Sequence, residues 1–444
     1  MLEKLNLNKP EYRIREDCIK FKEKVYGINF NFEYHNIPTE FYSDFENLAL
    51  MNDVFSKFKD IFDGQRVNNT EDRPVTHFEY RKNPSLKEFN DQTNFMLEIA
   101  DAISQESFEK IIFFGIGGSQ LGPLFLGEAL ISDFYKNVVM ITGSDPEEFK
   151  EKVSGLNLEK CIFIIASKSF GTIETLRSYE DVTGRNYLKN TFAITSNIQT
   201  AESYGIDSKK IVSFDASTGG RFSSWSPISI LLAIFEGEEK YREFLHGGLT
   251  ADEDLLNSKN KSPCFLMSCQ DIYNNNILEN QTSLILNYDW RLRNFSKYVQ
   301  QLEMESNGKS VDKNGHQLKI QTCPIVWGGY GPESQHSFYQ MIYQGTKDFN
   351  LYLLSSSSDS LNVKQFNGQS DSLIKGTAID IEECKQTKKR NPTLITIDNI
   401  SPSTVGALMA TWENKTILNS IFWNINAFDQ WGVELGKENT KKYL

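Results

Sequence analysis

The stretch KIIFFGIGGSQLGP at residues 110–123 indicates the fold of the first half of the chain. An apolar run ends at Phe114, and a glycine-rich turn leads from it into a segment compatible with a helix. A short, continuous apolar run of this kind is typical of a strand buried on both faces of a parallel sheet. The sequence therefore predicts a strand, a tight turn and a helix in that order.

The glycine-rich turn also predicts an anion site, because glycines permit tight turning and leave backbone N–H groups free to face a phosphate. Gln120 stands where a dinucleotide fingerprint needs its third glycine, and no Lys-Ser or Lys-Thr pair completes a nucleotide P-loop. A plain strand-to-helix turn is the alternative interpretation.

Apolar runs of the same type recur along the rest of the chain in two series. The first continues with NVVMIT (137–142), CIFIIA (161–166), TFAIT (191–195) and KIVSF (210–214); the second is SLILNY (283–288), CPIVWG (323–328), FNLYLL (349–354) and TLITI (393–397). Helix-compatible segments separate the runs, which favours two doubly wound parallel-sheet α/β domains with helices on both faces. We expect domains at 76–248 and 249–444, preceded by a wrapping segment at 1–75.

Composition excludes several functional classes. A net charge of −12 argues against nucleic acid as the main partner, since phosphate backbones are bound by clustered cations. The start of the chain lacks the apolar core of a signal peptide, and the apolar runs are too short to span a bilayer. The six cysteines form no CxxC pair and no metal spacing with the five histidines. We expect reduced thiols and a cytoplasmic protein without membrane contact.

The segment SKSFGTIET at 167–175 places hydroxyl groups at a strand end and at the start of a helix. Ser167, Ser169 and Thr172 could hold a phosphate together with the charge of Lys168. An ordinary Ser/Thr-capped helix is the alternative. Two such loops in one domain favour a shared crevice at the carboxyl ends of the strands.

Arg221 follows the glycine pair of FDASTGGRFSSWSP, and a guanidinium suits an oxyanion or a developing enediolate. A solvated surface arginine is the alternative. Gln301 and Glu305 stand four residues apart near the predicted end of a helix at Ser306–Gly308, so we expect them to share a face. A carboxylate there opposes the negative end of the helix dipole, which should raise its basicity; a solvated surface charge is the alternative.

Two further segments carry candidate residues. Ser334 is a plausible N-cap, which would place His336 in the first turn of a helix and keep its ring neutral. Gln430 and Lys437 stand seven residues apart in FDQWGVELGK, a spacing that predicts one helical face near a C-terminus. A structural histidine and a lysine that merely complements a helix dipole are the alternatives.

In this order the segments resemble the phosphoglucose isomerase family. The matching stretches are VNNTEDRPVTHFEYR (67–81), GIGGSQLGP (115–123), SKSFGTIET (167–175), GGRFSSWS (219–226), QLEMESNGK (301–309), PIVWGGYGPESQHSFYQMIYQGT (324–346) and INAFDQWGVELGK (425–437). The resemblance implies two sugar-isomerase (SIS-type) domains, and a cofactor-free and metal-free interconversion of glucose 6-phosphate and fructose 6-phosphate in glycolysis and gluconeogenesis. It also implies a homodimer with active sites at the interface.

The resemblance further implies a role for each matched residue. Glu305 would be the base that moves a proton through a cis-enediol, Arg221 would stabilise the enediolate, and His336, which would reach the partner's site, and Lys437 would assist ring opening. The expected phosphate and substrate contacts are Gly118, Ser119, Ser167, Lys168, Ser169, Thr172, Gln301 and Gln430.

The chain departs from the family pattern at two places. Ser169 and Gly171 stand where threonines are usual, which reduces the number of hydroxyl groups. Gly331 to Ser334 replaces a Gly-Thr-Asn-Gly pattern, and Glu333 adds a negative charge near His336. An isomerase with a wider sugar preference, for instance one that also accepts mannose 6-phosphate, and a non-catalytic sugar-phosphate sensor are the alternative functions.

Overall fold

The computed structural model describes residues 1–2, 5–14, 16–82, 87–377 and 382–443. Its strands are β1 (Lys22–Val25), β2 (Ile28–Asn31), β3 (Ile111–Phe114), β4 (Val138–Ile141), β5 (Ile162–Ala166), β6 (Thr191–Thr195), β7 (Ile211–Ser213), β8 (Thr282–Asn287), β9 (Ile325–Tyr330), β10 (Asn350–Ser356) and β11 (Thr393–Ile397). Each of the nine apolar runs in the sequence forms a strand.

The helices begin with α1 (Thr39–Met51), α2 (Val54–Phe62), α3 (Lys87–Ser104), α4 (Gly118–Leu130), α5 (Phe134–Asn137), α6 (Pro146–Val153), α7 (Ile173–Thr183) and α8 (Ile198–Tyr204). They continue with α9 (Ile230–Ser258), α10 (Pro263–Ile272), α11 (Phe295–Asn307), α12 (Gly331–Gln335), α13 (Tyr339–Gln344), α14 (Leu361–Lys375), α15 (Pro402–Trp423) and α16 (Glu434–Thr440). No described helix combines the length and apolar character needed to cross a membrane.

The chain divides into two compact units. Unit 1 comprises Met1–Val75, Thr250–Asn399 and Leu408–Leu444, and unit 2 comprises Thr76–Leu249 and Ile400–Ala407. The division between Leu249 and Thr250 lies one residue from the expected domain boundary. The segment 1–75, expected to wrap around the domains, clusters with the second half of the chain, and residues 400–407 cluster with the first.

Unit 2 is built on a five-stranded sheet with the order β4-β3-β5-β6-β7, in which every pair is parallel. Tyr179 of α7 packs edge-on against Phe114 of β3, with ring centroids 5.5 Å apart, and strands β3, β5 and β6 are buried along their whole length. The chain leaves β3 toward one side of the sheet and returns for β5 on the other. The loops after β3 and β5 therefore flank a switch point, where α/β sheets bind ligands.

Unit 1 contains a six-stranded sheet with the order β1-β2-β11-β10-β8-β9. Strands β8 to β11 pair in parallel, as the second series of apolar runs predicts. The hairpin β1–β2 joins this sheet through an antiparallel pairing in which Phe30 lies opposite Ile395. The fold class of parallel α/β sheets is confirmed, with an antiparallel edge that the sequence analysis missed.

Two helices approach each other at glycines within unit 2. A side-chain carbon on Gly247 of α9 would lie 2.0 Å from the carbonyl oxygen of Ser403, and one on Gly406 of α15 would lie 2.2 Å from that of Phe244. No real Cβ atom tolerates such distances to backbone, so these positions require glycine. The absence of side chains lets the helix backbones come into direct contact.

We expect Gly247→Ala to lower the free energy of unfolding by about 1–3 kcal/mol, the usual cost of overpacking. Gly368 in α14 is exposed, and a side-chain carbon added there would meet no atom within 4 Å, so Gly368→Ala should be neutral or stabilising by up to about 1 kcal/mol. Urea unfolding of both variants measures the difference. Equal stability of the two would contradict the close approach.

Candidate functional site

The glycine-rich loop of unit 2 runs from the end of β3 into α4. Gly117 has φ 59° and ψ −126°, a conformation that side chains rarely adopt. A side-chain carbon on Gly118 would lie 2.0 Å from the carbonyl oxygen of Gly220 and 2.7 Å from the backbone nitrogen of Arg221. Glycine at 118 therefore allows the start of α4, which includes Ser119, to lie directly on the loop that carries Arg221.

The second loop of unit 2 joins β5 to α7. The hydroxyl oxygens of Ser167 and Thr172 lie 3.0 Å apart, and Thr172 is the N-cap of α7 without making a side-chain capping bond. The carbonyl oxygen of Lys168 accepts hydrogen bonds from the hydroxyls of Thr195 and Ser196, which fixes the loop to the end of β6. Because the Thr172 hydroxyl does not cap the helix, the alternative of an ordinary capped turn is not supported.

Arg221 lies in a short 3-10 segment, Gly220–Trp225, and only 3% of the residue is exposed. The alternative of a solvated surface arginine is therefore wrong. Its guanidinium lies 5.4 Å from the centre of the Phe222 ring, and that ring stacks on His77 at 4.8 Å. Burial lowers the pKa of His77 well below its ordinary value, so this neighbouring ring is neutral and adds no second positive charge beside Arg221.

In unit 1, helix α11 ends at Asn307, and the backbone N–H of Gly308 caps it by donating to the Met304 carbonyl. The side chain of Gln301 donates from Nε2 to Oε2 of Glu305 at 2.9 Å. The prediction that these two residues share a helix face is confirmed. The carboxylate is half-buried, and the neutral Gln301 amide orients it.

Glu305 borders a cavity of about 400 Å³ at the end of α11. Gln430, Thr70 and Trp431 line the same cavity. The structure thus brings together two of the candidate residues, Glu305 and Gln430, that lie far apart in the sequence.

Lys309 ties the two sides of this cavity together. Its ammonium donates to the carbonyl oxygens of Asn426 and Asp429 at 2.9 and 2.8 Å, and to the Asp429 carboxylate at 2.9 Å. The other oxygen of that carboxylate accepts from the hydroxyl of Thr70 at 2.6 Å. One cation therefore holds the segment after Glu305 against the loop that carries Gln430.

Beneath α11 lies a buried cluster of charges. The ammonium of Lys415, which has no solvent exposure, lies 2.7 Å from the Asp271 carboxylate and 2.5 Å from that of Glu303. Trp412 donates from its indole nitrogen to the same Glu303 oxygen at 3.0 Å. Burial raises the pKa of Glu303 to about 7, with Asp271 adding to the shift and Lys415 opposing it. The cluster anchors the helix two residues before Glu305.

The predicted environment of His336 is wrong. Helix α12 begins at Gly331, with Pro332 in its first turn, and ends at Gln335. His336 is the C-cap of this helix, where its backbone N–H donates to the carbonyl groups of Glu333 and Ser334. The imidazole is exposed and lies at the C-terminal end of the short helix, not in the first turn of a helix as predicted.

Gln430 and Lys437 do not share a helical face, contrary to prediction. Gln430 has φ −150° and ψ 49°, outside the helical region, whereas Lys437 lies in α16, which begins only at Glu434. Lys437 is exposed and pairs with Glu434 at 2.8 Å. Among the described residues that line the cavity beside Glu305, neither His336 nor Lys437 appears.

Four residues that hold the cavity together were not predicted from the sequence, namely Thr70, Lys309, Asn426 and Asp429. All four lie inside matched stretches, at 67–81, 301–309 and 425–437. A cation next to the helix-ending Asn-Gly pair, and a carboxylate just before Gln430, were visible in the sequence. Their pairing was not, because it joins segments that are distant in the chain.

Glu303→Gln should remove the titration of the buried cluster. The pKa of Glu303 rises from 4.5 to about 7 on folding, so the folded protein binds this proton more tightly than the unfolded chain. The stability that this proton contributes is present at low pH and lost as pH rises through about 7. We therefore expect the unfolding free energy of the unchanged protein, minus that of the variant, to fall between pH 4.5 and about 7 and then to level off.

Urea unfolding at a series of pH values measures that difference. A matched variant, Glu239→Gln, removes an exposed carboxylate and should show no such change. A difference that rises with pH would mean that Glu303 is stabilised as an anion.

Comparison with known proteins identifies the family. A sequence profile described as phosphoglucose isomerase matches residues 31–444. A protein named glucose-6-phosphate isomerase from Stutzerimonas stutzeri is 30% identical over an alignment that covers 93% of this chain and 85% of that one. One of the same name from Christiangramia forsetii is 33% identical, covering 86% and 81%.

A solved structure of a glucose-6-phosphate isomerase from Chlamydia trachomatis superposes with a TM-score of 0.85, covering 98% of this chain and 91% of that one. Its sequence identity of 24% supports the fold alone. The profile match and the sequence relatives confirm the resemblance seen in the seven stretches: this chain belongs to the phosphoglucose isomerase family.

Proposed function

We propose that this chain interconverts glucose 6-phosphate and fructose 6-phosphate, in glycolysis and gluconeogenesis in the cytoplasm. Family membership supplies the reaction. The observation that carries the mechanism is the Gln301–Glu305 pair at the edge of a cavity that Gln430 also lines. A carboxylate that a neutral amide orients toward a cavity is placed to accept a proton from a bound substrate.

In the proposed reaction, the Glu305 carboxylate removes the proton from C2 of open-chain glucose 6-phosphate. The C2–H electron pair forms the double bond of a cis-enediol, and the electrons of the C1 carbonyl move to its oxygen. That oxygen takes up a proton to become a hydroxyl, and the proton lost from the C2 hydroxyl in the next step balances it. Return of the carbon-bound proton to C1, with loss of the hydroxyl proton at C2, gives fructose 6-phosphate. The same carboxylate serves both directions, because it is a base in one step and an acid in the next.

We assign the phosphate group to the two loops of unit 2. Gly118 and Ser119 open α4, while Ser167, Lys168, Ser169 and Thr172 precede α7. The starts of both helices offer backbone N–H groups to an anion, and the Ser167–Thr172 hydroxyl pair adds donors. The binding energy of this group can lower the barrier at the reacting carbons.

Arg221 is proposed to stabilise the negative charge of the enediolate. Its burial supports this role, because a charge in a low-dielectric setting interacts more strongly with a developing oxyanion than one in water. The direct backbone contact between Gly118 and the Arg221 loop also places the guanidinium on a rigid support.

His336 and Lys437 are proposed to assist ring opening, with His336 acting in the site of a partner chain in a homodimer. What supports this is the exposure of His336 and its absence from the described lining of the cavity beside Glu305. Exposed Glu333 lies three residues before it.

Glu305→Gln should lower kcat at least about a hundredfold and leave KM within a few-fold, since the amide keeps the shape but cannot accept the proton. A coupled dehydrogenase assay of fructose 6-phosphate conversion, without added metal, measures it. Glu239→Gln is the control and should retain full activity. A protein that binds fructose 6-phosphate without turnover would instead be a sensor, and an active Glu305→Gln variant would place the base elsewhere.

Lys309→Met should lower kcat by about tenfold to a hundredfold, because it frees the loop that carries Gln430 from the end of α11. Lys309→Arg keeps the charge and should restore part of the activity, whereas Lys319→Met, which removes an exposed lysine, should have no effect. Unfolding curves of the variants, measured in parallel, show whether a lower kcat comes from a displaced loop or from loss of the fold. If Lys309→Met folds and retains full kcat, the cation does not position the site.

A further inference from the structure

Unit 1 contains a second polar cavity, of about 530 Å³, that shares no lining residue with the one beside Glu305. Its described charged lining is one carboxylate and four cations, namely Asp348, Arg13, Lys388, Lys389 and Arg390. The whole chain carries a net charge of −12, so this excess of positive charge is local. Nothing in the isomerase mechanism uses it.

His35 lies in the wall of this cavity and is only 3% exposed. Its Nδ1 accepts a hydrogen bond from the backbone N–H of Ile37 at 3.3 Å, and burial lowers the pKa of the ring to about 3. A neutral imidazole that accepts at Nδ1 carries its proton on Nε2. That buried N–H has no acceptor among the described residues.

Arg390 is 7% exposed and is held in place from three directions. Its Nε donates to the Ile342 carbonyl at 2.8 Å, its Nη1 donates to Asp348 at 2.5 Å, and the guanidinium lies 4.7 Å from the centre of the Phe349 ring. Its Nη2 is buried and likewise has no acceptor among the described residues. A second strong donor group in the same wall is therefore unsatisfied.

A hydrogen bond between two asparagine side chains links these two parts of the wall. The Asn36 side chain donates from Nδ2 to the Asn391 side-chain oxygen at 2.7 Å, so the residue after His35 is bonded to the residue after Arg390. Asn36 has a φ of 54°, a left-handed conformation that asparagine tolerates better than most residues. The chain segments that carry His35 and Arg390 are thus linked next to both residues.

Buried donors without acceptors cost free energy, and a ligand that offers only acceptors would recover it. We propose that this cavity binds a small phosphorylated anion at a site separate from the substrate site. A phosphate group presents several oxygens in different directions and carries about two charges, which matches guanidinium and imidazole donors surrounded by exposed lysines. The two nitrogens are closed to solvent in this conformation, so binding includes a side-chain rearrangement in the wall.

Calorimetric titration with inorganic pyrophosphate tests the proposal, with saturating fructose 6-phosphate present to occupy the substrate site. We expect one pyrophosphate to bind per chain. Lys388→Glu combined with Lys389→Glu should weaken it at least about tenfold, because it reverses two charges at the cavity. The control, Lys364→Glu with Lys375→Glu, makes the same change on exposed residues of α14 and should stay within about twofold.

Arg390→Lys tests the deep part of the site. It keeps the charge but removes the fixed guanidinium donors, and should weaken pyrophosphate binding while leaving isomerisation unchanged. Because Arg390 is buried and makes three contacts, thermal unfolding of the variant is measured alongside, and binding is titrated at a temperature at which the variant is folded. No binding to the unchanged protein, or equal affinity in the Lys388/Lys389 variant, would overturn the proposal. Neither outcome depends on Glu305, so the isomerase assignment is tested separately, by the activity of Glu305→Gln.

Discussion

The buried charge cluster around Lys415 joins several elements of unit 1. The Lys415 ammonium has no solvent exposure and contacts two carboxylates, Asp271 from α10 and Glu303 from α11. Asp271 in turn accepts from Tyr352 and Asn350 of β10. A buried ion that lost one partner would leave an uncompensated charge, which proteins tolerate poorly. Three helices and a strand are therefore restricted to one arrangement, and the position of Glu305 follows from that of Glu303, one half-turn earlier on α11.

The strands were the most predictable part of the fold. Buried parallel strands require continuous apolar runs, and each run in the sequence forms one. The β1–β2 hairpin was not predicted because β1 is a largely exposed edge strand, KEKV, without an apolar run. Its two-residue turn, Tyr26-Gly27, has positive φ at both positions, but tyrosine replaces the asparagine or aspartate that usually marks such a turn.

Sequence spacing predicted which side chains lie together only where the backbone is regular. Gln301 and Glu305 lie within one long helix, so a separation of four residues was sufficient. Around His336, Pro332 starts a helix earlier than expected and the chain turns again before α13. Around Gln430, the preceding Asp429 is bonded to Lys309 and Thr70, and these contacts keep the loop out of the helix that follows. A local proline decided the first case, and contacts between distant segments decided the second.

The pairing of the β1–β2 hairpin with β11 affects the order in which the two sheets can form. Strands β1 and β2 pair with each other, but the other edge of β2 pairs with β11, which lies far later in the sequence. The sheet of unit 2 lies within a continuous stretch of sequence and needs no such distant partner. Pairings between distant segments form slowly and leave strand edges open in the meantime. On a ribosome, the sheet of unit 2 would be complete before β11 is made, while one edge of β2 stays unpaired until then.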